Sequence, residues 1–147
     1  MADNNNSHLM NLPTKPNSKI TELAERLVGK WRVKGPEING TVEFELMEGG
    51  FFLIQHIDFM QGGKIKGIEY IGYDPDTDTL RSHFMDINGS NFTYTWTLNG
   101  KKLRINFGDK DSDMYFEATF NDDNTEYSGA WHYPDGGGYT ATLTRIE

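Results

Sequence analysis

The sequence predicts an all-β, up-and-down antiparallel β-barrel of about ten strands with one short N-terminal helix. Three observations support this fold class. Aromatic residues make up 13% of a chain that is only 36% hydrophobic, glycine occurs 16 times in 147 residues, and short runs rich in β-branched and aromatic residues alternate with turn signals from Lys30 onward. Aromatic and β-branched residues favour strands, whereas glycine favours tight turns. The length corresponds to one domain.

Charge and residue inventory exclude several classes of protein. The chain has 14 lysines and arginines against 22 aspartates and glutamates, a formal net charge of -8. Nucleic acids and anionic membranes need a basic face, so neither is an expected partner. Because cysteine is absent, disulfides, thiolate metal sites and cysteine nucleophiles are excluded. No apolar run reaches the roughly 20 residues of a membrane span, and no signal-peptide pattern is visible, which favours a cytoplasmic location.

The N-terminal part of the chain divides into a tail and a helix. Residues 1–18 are polar and predict a disordered tail before a barrel domain over residues 19–147. Ser18 is a suitable N-cap and Gly29 a suitable end for a helix. Between them, apolar residues recur at helical spacing: Ile20, Leu23 and Leu27.

Nine turn signals divide the remainder into about ten strands. They are glycine clusters and pairs that contain asparagine, aspartate or proline, and they lie at residues 39–40, 48–50, 61–63, 74–75, 88–89, 99–100, 108–109, 122–123 and 134–136. Short strands at even spacing are typical of an up-and-down barrel.

Alternation of apolar and polar residues orients the strands. Val42, Phe44 and Leu46 alternate with threonine and glutamate, so the even-numbered residues of this strand face inward. Cross-strand partners share a face. If even-numbered residues face inward on one strand and the next loop has an even number of residues, odd-numbered residues face inward on the following strand; this choice of even or odd is the parity of a strand. Applied from turn to turn, with two-residue turns at 62–63 and 88–89, this rule predicts the interior face of every strand.

The predicted interior is aromatic and contains a polar cluster. Its candidate ligand-binding residues are Gln55, Tyr70, Arg81, His83, Phe92, Tyr94, Trp96, Trp131, Tyr133 and Tyr139. A mostly apolar lining with a few convergent polar groups is typical of small-molecule sites, and arginine is a natural partner for a carboxylate. The sequence therefore favours binding of a small hydrophobic ligand with a polar or acidic end.

One alternative register stays open. A bulge near 61–63 or 74–79 would exchange the inward sets of the fourth and fifth strands. Arg81 and His83 would then face outward, and the interior would instead receive Glu69, Ser82, Phe84 and Asp86.

The preferred register leaves an apolar patch on the outer face of the third to fifth strands. Its members are Phe52, Ile54, Ile71, Leu80 and Phe84. An apolar patch of this kind needs cover. The N-terminal segment, the helix or a second subunit would provide it, and a homodimer is therefore a predicted partner.

Catalysis and cofactors find little support in the pattern. Hydrolysis needs a nucleophile, a base and an orienting group within reach of one another, and the preferred register gives the interior neither a carboxylate nor a serine. No catalytic residue is predicted, and the alternative function is isomerisation or cyclisation with His83 as general acid or base. The histidines are scattered over strands that are not adjacent, and the acidic loops lack the ligand spacing of a calcium-binding loop. No metal or other cofactor is therefore predicted.

Several segments resemble one family of small barrels. Gly29-Lys30-Trp31, at the end of the helix, looks like the Gly-x-Trp opening of calycin-type barrels. Residues 48–53 and 67–75, the latter continued by Phe84-x-Asp86, resemble a bacterial family of lipocalin-like domains that has no agreed activity, and so does the closing Thr144-Arg145. The resemblance covers roughly residues 20–147, although family members often have tryptophan where this chain has Phe84. It implies a small barrel with a hydrophobic cavity and no particular reaction.

Overall fold

The computed structural model describes residues 12–147, which form one helix followed by ten strands. Helix α1 spans Ser18–Leu27. The strands are β1 (Gly29–Lys34), β2 (Asn39–Leu46), β3 (Phe52–Met60), β4 (Lys64–Asp74), β5 (Thr79–Asp86), β6 (Asn91–Asn99), β7 (Lys102–Phe107), β8 (Tyr115–Phe120), β9 (Glu126–His132) and β10 (Gly138–Arg145). Consecutive strands pair in antiparallel fashion, and β10 pairs with β1. The sheet is therefore a closed up-and-down barrel, which confirms the predicted fold class.

Helix α1 covers one end of the barrel. Its apolar face contacts strands β2 to β6, and four of its residues are buried there: Ile20, Leu23, Ala24 and Leu27. The N-cap is Asn17 rather than the predicted Ser18, because the Asn17 side chain accepts a 2.9 Å hydrogen bond from the backbone N–H of Lys19. Asparagine and serine serve equally well as N-caps, so only the local geometry decides between these neighbours.

The two ends of the barrel sequence meet beside the helix. Trp31 on β1 is fully buried, and its Nε1 donates a 2.8 Å hydrogen bond to the carbonyl of Leu27. The guanidinium carbon of Arg145, on β10, lies 4.2 Å from the centre of the Trp31 ring. The same guanidinium donates to the carbonyls of Val28 and Arg26. The first strand, the last strand and the helix are thereby joined at one end.

The predicted interior faces are confirmed on every strand except β4 and β5. The difference begins at the turn between β3 and β4. Met60 pairs with Lys64, so the loop at 61–63 has three residues rather than the predicted two. The N–H of Gln61 donates a 2.8 Å hydrogen bond to the carbonyl of Gly63 across it. An odd loop preserves parity, and the residues of β4 that face inward are therefore Ile65, Gly67, Glu69 and Ile71.

A second odd loop, between β5 and β6, restores the predicted parity. Met85 pairs with Asn91, so an odd number of residues, 86–90, separates the last paired residues instead of a two-residue turn at 88–89. Asp86 Oδ1 holds this loop, since it accepts 2.9 Å hydrogen bonds from the backbone N–H groups of Asn88 and Ser90. The two departures cancel, so β6 and all later strands face as predicted.

The predicted outer patch is wrong for three of its five members. Ile71 and Leu80 point inward and are buried, and Phe84 lines the interior. Their orientation follows from the three-residue loop at 61–63, which exchanges the inner and outer faces of β4, and hence of β5, relative to the prediction. Phe52 and Ile54 do lie on the outside, where Phe52 is 45% exposed.

Two further observations concern the chain outside the barrel wall. No helix within residues 12–147 combines the length and the apolar character needed to cross a bilayer. Of the predicted tail, residues 1–11 lie outside the described residues, and residues 12–17 contain neither helix nor strand.

Candidate functional site

A cavity of about 300 Å³ occupies the barrel at the end away from helix α1. This end is formed by the loops that follow β1, β3, β5, β7 and β9. Asp86, at the end of β5, and Ser90, in the loop after it, border the cavity. Most of the lining is aromatic or aliphatic. It includes Val33, Val42, Phe44, Ile57, Phe84, Phe92, Tyr94, Trp96, Ile105, Phe116, Trp131, Tyr139, Ala141 and Leu143.

Glu69 lies midway along β4 and presents a carboxyl group to this cavity. It is 5% exposed, and three side chains donate to it. Gln55 Nε2 lies 3.0 Å from Oε1, Ser82 Oγ lies 2.5 Å from Oε2, and Trp96 Nε1 lies 3.3 Å from Oε2. The donors come from β3, β5 and β6, so the barrel fold assembles this network from residues that are distant in sequence.

Burial changes the acidity of Glu69. Desolvation raises the pKa of the carboxyl from 4.5 to about 7, although the hydrogen bonds from Ser82 and Trp96 oppose the increase. A buried carboxyl group costs free energy when it ionises, which is the reason for the direction. Glu69 therefore changes protonation state near neutral pH, and it can either hold or accept a proton inside the cavity.

Asp86, at the last position of β5, is the second carboxyl group of the cavity. Burial acts to raise its pKa, but the hydrogen bonds from Ser90 and Asn88 outweigh this effect and hold the pKa below its usual value. Asp86 is consequently ionised at neutral pH. Its Oδ2 atom is buried and has no hydrogen-bond partner among the described residues.

The cavity has a one-sided electrostatic character. Besides Glu69 and Asp86, its polar lining consists of amide, hydroxyl and indole N–H groups, including those of Gln55, Ser90 and Trp96. Among the described residues that line it there is no lysine, arginine or histidine. A low-dielectric cavity strengthens the field of such groups, and the interior therefore favours positive charge and hydrogen-bond donors.

Tyrosine side chains supply further hydroxyl groups to the lining. Burial raises the pKa of Tyr94 well above its usual value, and the nearby Glu69 adds to this shift. Burial likewise raises the pKa of Tyr139 to about 12. Both phenols are neutral at physiological pH and present hydroxyl donors rather than charges.

Six of the ten residues predicted as ligand-binding border the cavity: Gln55, Phe92, Tyr94, Trp96, Trp131 and Tyr139. Their strands are those on which the predicted parity holds. The aromatic part of the cavity lining was therefore predicted from the sequence, and its role in binding stays a prediction.

The other four predicted residues do not border it, and the predicted interior orientation of three of them is wrong. Tyr70, Arg81 and His83 lie on the outer face, because the three-residue loop at 61–63 exchanges the predicted inner and outer faces of β4 and β5. His83 contacts Asn91 there. Tyr133 lies in the loop after β9, where its N–H donates to the carbonyl of Gly137.

The predicted two-residue turn at 62–63 places Glu69, Ser82 and Asp86 on the outer face, whereas the three-residue loop at 61–63 turns them inward. The expectation of an interior without carboxylate or serine is corrected accordingly. The alternation on β5 is the signal that could have indicated them. The set Leu80, Ser82 and Phe84 is no more polar than the set that contains Arg81 and His83, so it is an equally acceptable inward face. Pairing across both neighbouring strands was needed to choose between the two sets.

Comparison with known proteins agrees with this architecture. The sequence model of a protein family described as a lipocalin-like domain matches residues 27–127. The match covers more than half of the chain, runs from the end of α1 into β9, and includes both carboxyl groups of the cavity. A search of curated proteins found no match.

Proposed function

The chain belongs to the family of lipocalin-like domains, and from that premise we propose that it binds a small hydrophobic molecule with a polar end inside the barrel. The observation that carries this proposal is a cavity of about 300 Å³ in which two carboxyl groups interrupt an aromatic and aliphatic lining. Ligand cavities of about 300–1,000 Å³ with a few polar groups are typical of small-molecule sites. The volume lies at the lower end of that range and favours a compact ligand.

The polar groups favour a ligand end that donates hydrogen bonds. The acidic end predicted from the sequence depended on Arg81 and His83, which lie outside the barrel. The cavity instead offers the acceptors of Glu69 and Asp86. A neutral alcohol satisfies this requirement and is a suitable first probe.

Binding can be measured with 1-octanol through tryptophan fluorescence, since Trp96 and Trp131 line the cavity. Ala141→Leu tests the location of the bound molecule. Ala141 is buried on β10 and faces the cavity, so a larger side chain there should occupy ligand space and weaken binding at least tenfold. Ala130→Leu is the matched control, because Ala130 lies on the outer face of the neighbouring strand β9.

The outcomes separate clearly. Saturable binding that Ala141→Leu weakens and Ala130→Leu leaves unchanged supports the cavity as the site. Equal binding by both variants places the probe elsewhere and contradicts the proposal, as does the absence of saturable binding to the unmodified chain.

A second candidate function is acid–base catalysis in the same cavity. It is favoured by Glu69, whose pKa of about 7 suits a proton-transfer group at physiological pH. His83 was the predicted acid or base, but it faces outward. Glu69 would remove a proton next to a carbonyl group and return it two carbons away, which moves a double bond.

This candidate can be tested with cyclohex-3-enone, whose conjugated isomer absorbs in the ultraviolet. Acceleration by the unmodified chain and its loss in Glu69→Gln would support acid–base catalysis. No acceleration by the unmodified chain, or equal acceleration by Glu69→Gln, would exclude Glu69 from this role.

A homodimer and a cytoplasmic location stay predictions. The outer face of β3 to β5 carries exposed apolar side chains, including Phe52, Met60, Tyr70 and Met85, and a second copy could cover them. Sedimentation at high micromolar concentration tests the dimer, and a monomer alone would contradict it. Fractionation of the producing cell tests the location.

A further inference from the structure

We propose that the cavity selects hydrophobic amines in their cationic form, with the ammonium group held between Asp86 and Glu69. The inference rests on the proposed function, because it names the ligand class for the same cavity. Three structural features carry it: an unpartnered carboxylate oxygen, a second carboxyl group further along the same wall, and a lining of aromatic rings without a basic residue.

Asp86 supplies the first anchor. Its Oδ1 is occupied by the backbone N–H groups of Asn88 and Ser90. Its Oδ2 is buried and has no hydrogen-bond partner among residues 12–147. A buried acceptor without a partner is unfavourable, and an ammonium group, with its several N–H donors, is the kind of group that satisfies it.

Glu69 supplies the second anchor on the same wall of the barrel. Glu69 faces Phe84, and Asp86 faces Gly67, so the two carboxyl groups are diagonal neighbours across β4 and β5. Diagonal neighbours in an antiparallel pair are about 7–8 Å apart. Glu69 Oε1 accepts a hydrogen bond from Gln55, and a carboxylate oxygen has room for two donors. One ammonium group between the two carboxyl groups can therefore interact with both.

The aromatic lining fits the rest of such a ligand. Tyr94 lies on β6, beside the carboxyl groups, and tyrosine rings attract cations through their faces. Across the barrel, β10 and β1 contribute Ala141, Leu143 and Val33. These side chains offer an apolar surface for the hydrocarbon part of the amine.

The same arrangement disfavours anionic ligands. No lysine, arginine or histidine occurs among the described residues that line the cavity, and the chain as a whole has a net charge of -8. A fatty acid would bring a third carboxylate into a low-dielectric interior, where like charges repel strongly. Selectivity should therefore decrease from amine to alcohol to carboxylate.

Binding of an amine should be coupled to the ionisation of Glu69. The other titratable groups that line the cavity with Glu69 are Asp86 on β5, Tyr94 on β6, Tyr127 on β9 and Tyr139 on β10. Asp86 stays ionised and the three phenols stay neutral near pH 7. The buried face of helix α1 is apolar and adds no titratable group. The ligand's own charge is constant over this range, because alkylammonium groups stay charged up to a pH of about 10.

Glu69 is thus the cavity group that changes charge between pH 6 and 8. An ammonium group favours the ionised carboxylate, so amine affinity should rise with pH over this interval and binding should release a proton. Affinity for a neutral alcohol should rise less.

Titration calorimetry of the full chain with octylamine, 1-octanol and octanoate at pH 8 tests the proposal. The three probes share the same chain length and differ in the charge of the polar end. We expect octylamine to bind at least tenfold more tightly than 1-octanol, and octanoate to bind most weakly. We also expect octylamine affinity to decrease at least threefold between pH 8 and pH 6.

Substitutions assign the preference to individual groups. Asp86→Asn and Glu69→Gln should each reduce the ratio of amine to alcohol affinity, and Glu69→Gln should also remove the pH dependence. Asp58→Asn is the control, because Asp58 is an exposed carboxylate on the outer face of β3. Far-ultraviolet circular dichroism and a cooperative thermal transition show whether each variant is folded.

Each outcome bears on a separate claim. If 1-octanol and octylamine bind equally, or if octanoate binds best, the amine proposal is wrong while binding in the cavity stands. If none of the three probes binds to the unmodified chain, the proposed function itself fails and the amine proposal fails with it. The comparison of ligands on the unmodified chain decides the matter even if a variant does not fold.

Discussion

Ser82 Oγ donates a 2.5 Å hydrogen bond to Glu69 Oε2, and Trp96 Nε1 lies 2.9 Å from the same serine oxygen. The hydroxyl group thereby joins β4 to β6 through β5, in the interior of the barrel. Because every member of this network is buried, the protonation state of Glu69 affects both the stability of the fold and the properties of the cavity.

Glu69→Gln should change how stability depends on pH. The pKa of Glu69 is about 7 in the folded chain, against an ordinary 4.5. Between these pH values Glu69 keeps a proton in the folded chain that it loses in the unfolded chain. The contribution of this proton to the free energy of unfolding is complete below pH 4.5 and is lost as the pH rises through 7. The loss is on the order of 3 kcal/mol. Urea unfolding between pH 4 and 8 should show this decrease in the unmodified chain and a flatter profile in Glu69→Gln, whereas parallel profiles would contradict the assignment.

Arg145→Lys should destabilise the end of the barrel next to the helix. The guanidinium donates to three backbone carbonyls, at distances of 2.7, 3.0 and 3.1 Å, and lies over the Trp31 ring. Lysine keeps the charge but cannot reproduce this planar fork, and we expect a loss of about 2–4 kcal/mol. Arg32→Lys, at an exposed position on β1, is the control. Equal free energies of unfolding for the two variants would show that the Arg145 contacts contribute little.

Leu23→Ala should weaken the contact between α1 and the barrel. Leu23 is fully buried and lies in the apolar face that covers the barrel end. Removing a buried leucine side chain typically costs about 2–5 kcal/mol. Thermal unfolding of Leu23→Ala and of Glu22→Ala, which changes the exposed neighbouring residue, measures the difference. A loss below about 0.5 kcal/mol for Leu23→Ala would mean that the helix is not packed as described.

Gly67→Ala should distort the wall that carries the carboxyl groups. A Cβ atom at Gly67 would lie 2.1 Å from the Met85 carbonyl oxygen and 2.7 Å from Asp86 Cα, so β5 would have to move. Overpacking of this kind costs about 1–3 kcal/mol. We expect reduced stability and, if the cavity binds amines, weaker octylamine binding. Unchanged stability would show that β4 and β5 are not this closely apposed in solution.

The strand number and the helix were predictable because their signals are local. Ile20, Leu23 and Leu27 repeat at helical spacing within one short segment, and each turn signal consists of adjacent residues. The inward orientation of Trp96 and Trp131 depended on the loop lengths as well, and it was predicted correctly because the two odd loops cancel before β6. The strand number and the helix needed no knowledge of which strands are neighbours.

The register of β4 and β5 was not predictable with the same certainty, because it depends on a single residue in a loop. The glycine pair at 62–63 is compatible with a two-residue or a three-residue connection, and the hydrogen bond from Gln61 to Gly63 belongs to the second. The second odd loop, held by Asp86, restored the predicted inward residues from β6 onward. The aromatic half of the cavity was therefore predicted correctly although its carboxyl groups were assigned to the outer face.

The sequence by itself determined a closed barrel of ten strands whose aromatic residues face inward, because side-chain periodicity and turn residues are written along the chain. Only the tertiary structure decided that Glu69 faces inward rather than Tyr70, and Ser82 rather than His83. The side-chain period of a strand is two, so a loop longer by one residue exchanges the two faces. A carboxyl group can occupy the inner face here because Gln55, Ser82 and Trp96 donate to it from three other strands, and the closed sheet brings those strands together.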